Sequence, residues 1–254
     1  MNLNLKDKVF LISGGAKGIG GAVASELLAE GAIPVIIDPD EKAGSQLLKD
    51  GPGLQIPTLL SSEKDAEDAV KQAFQTFGRI DGIVNNAGVN DGVGLEKGNP
   101  KAFIDSVAKN LNHYYDLAHF ALPHLRASKG SIVNISSKTA LTGQGNTSGY
   151  TAAKGAILSL TREWAVELLP YQIRVNAVIP AEVLTPMYES WIQKFEDPAA
   201  KLESINSKIP LGNRMTKPEE IAAMVIFLLS DKAMHITGQY LHVDGGYTHL
   251  DRAL

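Results

Sequence analysis

The chain has 254 residues, of which 44% are apolar, and a formal net charge of −4. This length and apolar content favour one α/β domain with a sizeable core, and the small negative charge argues against a nucleic-acid partner. No apolar run approaches the roughly 18 residues that span a bilayer, residues 1–10 lack the apolar stretch of a signal peptide, and cysteine is absent. We therefore expect a cytoplasmic protein without disulfides or a membrane partner. The six histidines are scattered, so no metal site is expected.

The predicted elements alternate between short apolar strands and longer amphipathic helices. Strands are predicted at 9–12, 34–37, 82–84, 131–135, 173–178 and 240–243, and helices at about 18–31, 63–77, 100–127, 149–168 and 218–229. Continuous apolar strands that alternate with helices indicate a parallel sheet that is covered on both faces. The predicted fold class is therefore α/β, with a doubly wound parallel sheet and a single domain over residues 1–254.

A glycine-rich loop lies between the first predicted strand and the first predicted helix. Glycines at 14, 18 and 20 would let the backbone turn tightly and let a pyrophosphate approach the N-terminus of the helix. Glycine also collects in ordinary β–α turns. The position between a strand and a helix is nevertheless the context that a dinucleotide-binding loop requires.

Asp38 follows Gly20 by 18 residues and ends the second predicted strand. A carboxylate there can accept hydrogen bonds from both ribose hydroxyls of NAD and would repel the 2′-phosphate of NADP. Two alternatives stay open: the aspartate could simply cap a turn, and the nearby Lys17 could neutralise a 2′-phosphate. NAD is the expected cofactor, with NADP possible.

Tyr150 and Lys154 are four residues apart in a predicted helix and so lie on one face. Tyrosine, with a pKa near 10, is a poor base at neutral pH, but a nearby ammonium and an oxidised nicotinamide ring both favour the phenolate. A tyrosine and a lysine at this spacing often occur by chance on the exposed face of a helix. Ser137 lies thirteen residues earlier, where the strand 131–135 ends, and this position favours an active site.

Several motifs together carry a resemblance to the short-chain dehydrogenase/reductase family. They are the Gly14/Gly18/Gly20 loop, Asn85-Asn86-Ala87-Gly88, Asn110, Ser137, Tyr150, Lys154 and Asn176 to Pro180. The resemblance implies a Rossmann-type fold in which Ser137 polarises the reacting oxygen and Tyr150 exchanges its proton. Lys154 would lower the pKa of Tyr150 and bind the nicotinamide ribose, and Asn110 would hold a water that links Lys154 to solvent.

The resemblance also implies a cofactor site. Its expected residues are Gly14, Lys17, Gly18, Ile19, Gly20, Asp38, Leu60, Asn86, Ala87, Gly88, Tyr150, Lys154, Pro180, Val183 and Thr185. The chain departs from the family pattern at three places. Ser13 replaces a threonine, Leu59 replaces an aspartate near the adenine, and Ala181-Glu182 replaces a glycine and places a carboxylate near the substrate.

Polar and aromatic residues are expected to converge on the substrate. They are Asn90, Asp91, Ser137, Lys138, Gln144, Tyr150, Glu182, Tyr188 and Trp191. An unpaired buried carboxylate would be costly beside a steroid or an acyl chain, so this set favours a polyol. Residues 187–195 carry an apolar stripe, which either belongs to a segment at about 183–209 that covers the substrate or is simply a packed helix.

Within the family, residues 86–94, 133–150, 162–166, 179–185 and 244–254 are similar to the L-fucose dehydrogenases of bacteria. That similarity implies oxidation of the C1 hydroxyl of L-fucose, L-galactose or D-arabinose to the lactone, by a homotetramer. Two alternatives remain in the same fold: a 3-oxoacyl-thioester reductase, or another short-chain alcohol dehydrogenase. A nucleotide-sensing protein without catalysis is the non-enzymatic alternative.

Overall fold

The computed structural model describes residues 2–250. These residues form one seven-stranded sheet with the order β3-β2-β1-β4-β5-β6-β7, in which all neighbouring strands are parallel. The strands are β1 (Val9–Ser13), β2 (Ile33–Ile37), β3 (Leu54–Ile56), β4 (Gly82–Asn85), β5 (Ser131–Ile135), β6 (Arg174–Pro180) and β7 (Tyr240–Val243). The predicted doubly wound α/β fold is confirmed.

The described helices connect these strands. They are α1 (Gly18–Ala29), α2 (Glu41–Leu48), α3 (Glu63–Phe77), α4 (Pro100–Ser128), α5 (Thr139–Thr142), α6 (Ser148–Glu167), α7 (Pro186–Ile192), α8 (Pro198–Asn206) and α9 (Pro218–Leu229), with 3₁₀ turns at Leu169–Tyr171 and Asp231–Ala233. None of the helices within residues 2–250 is long and apolar enough to cross a membrane.

Strands β1, β4 and β5 bury both of their faces, because side chains alternate between two helix layers, whereas the edge strands β3 and β7 are partly exposed. In β1, Phe10 and Ile12 face a core shared with α1 and α9, whereas Val9 and Leu11 face a core shared with α3, α4 and α6. This is why the strands appear in the sequence as continuous apolar runs.

Local signals explain where the helices begin and end. Ser62 and Asp65 form a capping box at the start of α3, and Gly78, with φ +70°, ends that helix in the left-handed conformation. Asn99 caps α4 with Pro100 in its first turn, and Gly31, with φ +73°, follows the end of α1.

The sequence did not predict α2, β3, α5 or α8. The strand β3 has only three residues, and α2 is short and interrupted by Gly44, so neither shows a clear period. The expectation of one domain over 1–254 stays a prediction, because residues 1 and 251–254 lie outside the described part. The same holds for the last four residues of the 244–254 similarity.

The strand order reverses between β1 and β4, so the connections from these two strands leave in opposite directions. A crevice opens at the carboxyl ends of the strands at such a switch point, and ligands bind there in open α/β sheets. The glycine loop and the Asn85–Gly88 segment both lie at this point.

Candidate active site

The glycine loop after β1 is held by the segment after β4. The side-chain amide of Asn86 donates to the carbonyl oxygens of Ser13 and Gly14, both at 3.0 Å, and the hydroxyl of Ser13 accepts from the backbone N–H of Asn86 at 2.9 Å and of Ala87 at 3.1 Å. Asn86 therefore uses its side chain to fix the loop. The departure at Ser13 keeps the hydroxyl that this arrangement needs.

The loop fits a close approach of its backbone to a ligand. A Cβ atom at position 20 would lie 2.2 Å from the Gly14 carbonyl oxygen, so only glycine is accommodated there without a shift. Gly14 and Gly18 have φ of +64° and +56°. The N-terminus of α1, preceded by Lys17, receives no side-chain cap from the residues that the structure describes. Its free N–H groups therefore suit a pyrophosphate.

Asp38 follows β2 and faces the same crevice. Its carboxylate accepts from the backbone N–H of Ala16 at 3.1 Å and of Asp40 at 2.8 Å. Lys17 lies 2.5 Å from the carboxylate of Asp40, and this hydrogen bond and charge raise the pKa of Lys17. The ammonium of Lys17 is thus already paired with a carboxylate.

Ser137 and Tyr150 meet at the carboxyl end of β5. Ser137 is buried, and its hydroxyl accepts from the backbone N–H of Thr139 at 3.2 Å. Burial raises the pKa of Tyr150, and a hydrogen bond with Ser137 partly offsets this rise. The expected lowering of the Tyr150 pKa by Lys154 is absent from this arrangement of the described residues, in which burial is the largest effect.

Lys154 is 2% exposed and lies one helical turn after Tyr150. Its Nζ donates to the Ile135 carbonyl at 2.8 Å and to the Tyr114 hydroxyl at 3.0 Å, and it lies 5.6 Å from the centre of the Tyr150 ring. Burial lowers the pKa of Lys154 to about 7. A lysine with this pKa changes charge near neutral pH, which an exposed lysine does not do.

Asn110 is fully buried in α4 and holds the turn after Gly88. Its side-chain oxygen accepts from the Val89 N–H at 2.7 Å, and its amide donates to the Ser106 carbonyl at 2.9 Å. A Cβ atom at position 88 would lie 3.0 Å from this oxygen and 3.5 Å from Nζ of Lys154. The glycine therefore lets Asn110 and Lys154 approach the same turn.

One cavity of about 1100 Å³ joins the glycine loop to the end of β5. It is lined by all of the predicted cofactor residues except Gly20, which is buried behind the loop, and both Leu59 and Leu60 contribute to its wall. Ser137, Tyr150 and Lys154 line the same cavity, whereas Asn110 lies behind it. The structure therefore brings the predicted nucleotide and catalytic residues together.

The predicted substrate residues divide into two groups. Ser137, Tyr150 and Tyr188 line the cavity, whereas Asn90, Asp91, Lys138, Gln144, Glu182 and Trp191 are not part of its lining. Asp91 is hydrogen-bonded to Ser106 and paired with Lys109, Asn90 closes a local turn, and Gln144 is exposed. Whether they contact a substrate stays a prediction.

Glu182 connects three segments around the cavity. Its carboxylate pairs with Lys138, which follows β5, and accepts from the Tyr188 hydroxyl of α7 at 2.6 Å. Lys138 also lies 4.1 Å from the centre of the Tyr247 ring. Glu182 is therefore not an unpaired carboxylate at the substrate. In α7, Tyr188 packs edge-to-face against Trp191, which is 41% exposed.

Sequence reasoning missed two residues of α4 beside Lys154. His113 lines the cavity, its Nε2 lies 3.1 Å from the Ala87 carbonyl, and burial lowers its pKa to about 4. Tyr114 is fully buried against Lys154. The signal was available, because both residues lie about one helical turn after Asn110. Within residues 2–250 no group of three or more His, Asp or Glu side chains could hold a metal ion.

Comparison with known proteins decides the family. The family model described as enoyl-(acyl carrier protein) reductase matches residues 14–248. The chain belongs to the short-chain dehydrogenase/reductase family. Short-chain dehydrogenases interconvert CH–OH groups and carbonyls with NAD(P)(H), and this chain is an enzyme of that kind.

Two relatives of this short-chain dehydrogenase indicate different substrates. The L-fucose dehydrogenase of Bos taurus is 36% identical over 91% of this chain and 86% of its own length. The 3-oxoacyl-[acyl-carrier-protein] reductase of Thermotoga maritima is 35% identical over 93% and 96%. The L-fucose dehydrogenases found in this comparison are mammalian, whereas the sequence similarity was expected to be with bacterial ones.

Solved structures of other short-chain dehydrogenases share the fold. The Cj0485 dehydrogenase superposes with a TM-score of 0.95 at 44% identity over 100% of this chain and 99% of its own. The aldohexose dehydrogenase of Thermoplasma acidophilum gives 0.91 at 30% identity over 100% and 99%. The 3-ketoacyl-(acyl-carrier-protein) reductase of Brucella melitensis, complexed with NADH, gives 0.86 at 32% identity over 96% and 100%.

Proposed function

We propose that the chain is an NAD-dependent sugar dehydrogenase that oxidises the C1 hydroxyl of L-fucose, or of L-galactose or D-arabinose, to the lactone. The observation that carries this proposal is the single cavity in which the glycine loop, Ser137, Tyr150 and Lys154 meet. The likeness to an L-fucose dehydrogenase and to an aldohexose dehydrogenase supports a sugar as the substrate.

The proposed chemistry assigns one task to each side chain. The Ser137 hydroxyl positions the C1 oxygen, and Tyr150 accepts the proton of the C1 hydroxyl. When bound, the oxidised nicotinamide supplies the acceptor for the C1 hydride and a positive charge that favours the phenolate. Lys154 lies behind Tyr150 and passes the proton on, and Asn110 fixes the turn beside it.

The proton transfer can be tested at Tyr150. In Tyr150→Phe the ring stays and the hydroxyl is lost, so kcat should fall by several orders of magnitude while the affinity for NADH changes little. Tyr171→Phe is the control, because Tyr171 packs on Arg126 and lies outside the cavity. Turnover by Tyr150→Phe close to that of the control would remove Tyr150 from this role.

The preference for NAD is proposed from Asp38 and Lys17. The carboxylate of Asp38 lines the cavity where a ribose would lie, and Lys17 is already neutralised by Asp40. Asp38→Asn removes the charge but keeps a hydrogen-bonding oxygen, so the ratio of kcat/KM for NADP to that for NAD should rise at least tenfold. Asp40→Asn releases Lys17 instead, and it tests separately whether a free Lys17 ammonium raises the use of NADP. A wild-type preference for NADP would contradict this proposal.

The substrate is tested by NAD reduction with a panel of sugars and simple alcohols. L-Fucose or one of the two related sugars should give the highest kcat/KM. Methyl L-fucoside, in which the C1 hydroxyl is blocked, should give no turnover if C1 is the reacting carbon. The relative from Thermotoga maritima favours a second candidate, a 3-oxoacyl-thioester reductase. Faster oxidation of NADPH with acetoacetyl-CoA than any sugar reaction would establish that candidate.

Two further expectations belong to this proposal. Residues 183–209, which include α7 and α8, are proposed to cover the substrate, and the exposed Met187 and Trp191 fit a segment that packs on a ligand.

A homotetramer is proposed, with α6 and β7 at interfaces. The exposed Val166 of α6 supports contact between copies, and light scattering should give four times the mass of the chain.

A further inference from the structure

A buried hydroxyl lies beside the proposed catalytic lysine. Tyr114 of α4 has no exposed surface, and its hydroxyl donates to the Ile135 carbonyl at 2.9 Å. Because its proton is used in this bond, the oxygen of Tyr114 is an acceptor for Nζ of Lys154 at 3.0 Å. Nζ also donates to the same carbonyl at 2.8 Å, so the three groups form a closed triangle.

This triangle determines where the lysine points. An ammonium has three N–H donors, and the triangle uses two of them. The third has no partner among residues 2–250, and Lys154 lines the cavity. The side chain is therefore fixed with one donor free for a ligand or for Tyr150.

The triangle also affects the charge of the lysine. No carboxylate is bonded to Lys154 among the described residues, so two neutral oxygens provide the hydrogen bonds that favour its ammonium form against burial. The nearby charged or titratable groups are Tyr150 on its own helix and His113 on α4, and burial keeps His113 neutral at pH 7. Tyr114 is uncharged, and its hydroxyl oxygen accepts a hydrogen bond from Nζ.

We infer that Tyr114 is a positioning residue for the dehydrogenase reaction, whose hydroxyl holds Lys154 in place and helps to keep it protonated. The inference rests on the proposed role of Lys154. Tyr114 is fully buried and does not line the cavity, so it acts through Lys154.

The test is the variant Tyr114→Phe, assayed with the best substrate of the panel. Loss of the hydroxyl lowers the proton affinity of Lys154 and so withdraws support from the Tyr150 phenolate. The rising limb of log(kcat/KM) against pH for oxidation should move to higher pH by about one unit. The dissociation constant for NADH, measured by fluorescence without substrate, should rise by about three- to tenfold, because the free donor is no longer held in place.

Tyr115→Phe is the matched control, since Tyr115 is the next residue of α4 and is 55% exposed. Tyr114→Met places a smaller but flexible apolar side chain without a hydroxyl at this position and should show both shifts if Tyr114→Phe does not fold. A structural effect alone would lower the melting temperature and the active fraction while the pH limb and the NADH affinity stayed unchanged, and that result would overturn the inference. If Lys154→Met keeps wild-type turnover, the proposed role of Lys154 fails instead.

Discussion

Replacement of Lys154 by methionine should stabilise the protein at neutral and acidic pH. The folded chain buries this ammonium without a carboxylate partner, and its pKa falls from 10.5 to about 7. Below pH 7 the lysine is charged in both the folded and the unfolded chain, so the folded wild type carries the full cost of burial. Between pH 7 and 10.5 the folded lysine is neutral while the unfolded one still binds a proton, so wild-type stability rises with pH by about 1.4 kcal/mol per unit.

Lys154→Met has no ionisable group at this position. The difference in the free energy of unfolding between the variant and the wild type therefore measures the effect of protonating Lys154. The Tyr114 hydroxyl still satisfies the Ile135 carbonyl in Lys154→Met, so no buried acceptor is abandoned. Urea unfolding at fixed protein concentration should give Lys154→Met a free energy of unfolding that is higher than that of the wild type by a few kcal/mol at pH 6. This difference should become smaller between pH 7 and 9. Lys71→Met, at an exposed position of α3, controls for the loss of one positive charge. A gap that does not change from pH 6 to 9 would refute the reasoning.

Three further variants test the glycine loop and the segments around the cavity. Gly20→Ala should cost about 1–3 kcal/mol of stability and weaken NADH binding, because its Cβ would lie 2.2 Å from a backbone oxygen; unchanged melting and affinity would contradict this. Asn86→Ala loses both hydrogen bonds to the loop carbonyls and should lower the free energy of unfolding by about 1–3 kcal/mol, measured in urea. Tyr188→Phe loses its bond to Glu182 and should raise the substrate KM about fivefold with little change in kcat; an unchanged KM would separate α7 from substrate binding.

The elements that the sequence predicted best are those with a strong period and clear ends. The helix α3 was predicted at residues 63–77 and the helix α9 at 218–229, and both have those bounds in the structure. Each begins with acidic residues in its first turn, and α9 has a proline there as well. The strand β3 was missed because three residues give no alternation to detect, and its position depends on pairing with β2.

The sequence predicted those parts of the site that depend on where a residue lies within its own strand, loop or helix. Glycines at 14, 18 and 20, Asp38 at a strand end, and the four-residue spacing of Tyr150 and Lys154 all follow from local sequence, and they lie where expected. Contacts between distant segments did not follow. Glu182 was expected near the substrate, which stays a prediction, but its bonds to the ammonium of Lys138 and the hydroxyl of Tyr188, from two other elements, were not foreseen. A sequence gives no indication of such pairings, because they depend on how loops pack after the sheet has formed.

Burial acts on the two central groups in opposite directions, and this determines when the site becomes basic. It raises the pKa of the Tyr150 phenol and lowers that of the Lys154 ammonium, so both are close to neutral in the free protein above pH 7. A lysine one turn away is therefore not sufficient to make the phenolate. The phenolate needs added positive charge in the cavity, which the proposed cofactor would bring, and a lysine held in its ammonium form. In the proposed mechanism the phenolate depends on the ammonium of Lys154, so the apparent pKa in a rate profile should shift when either the charge or the position of Lys154 changes.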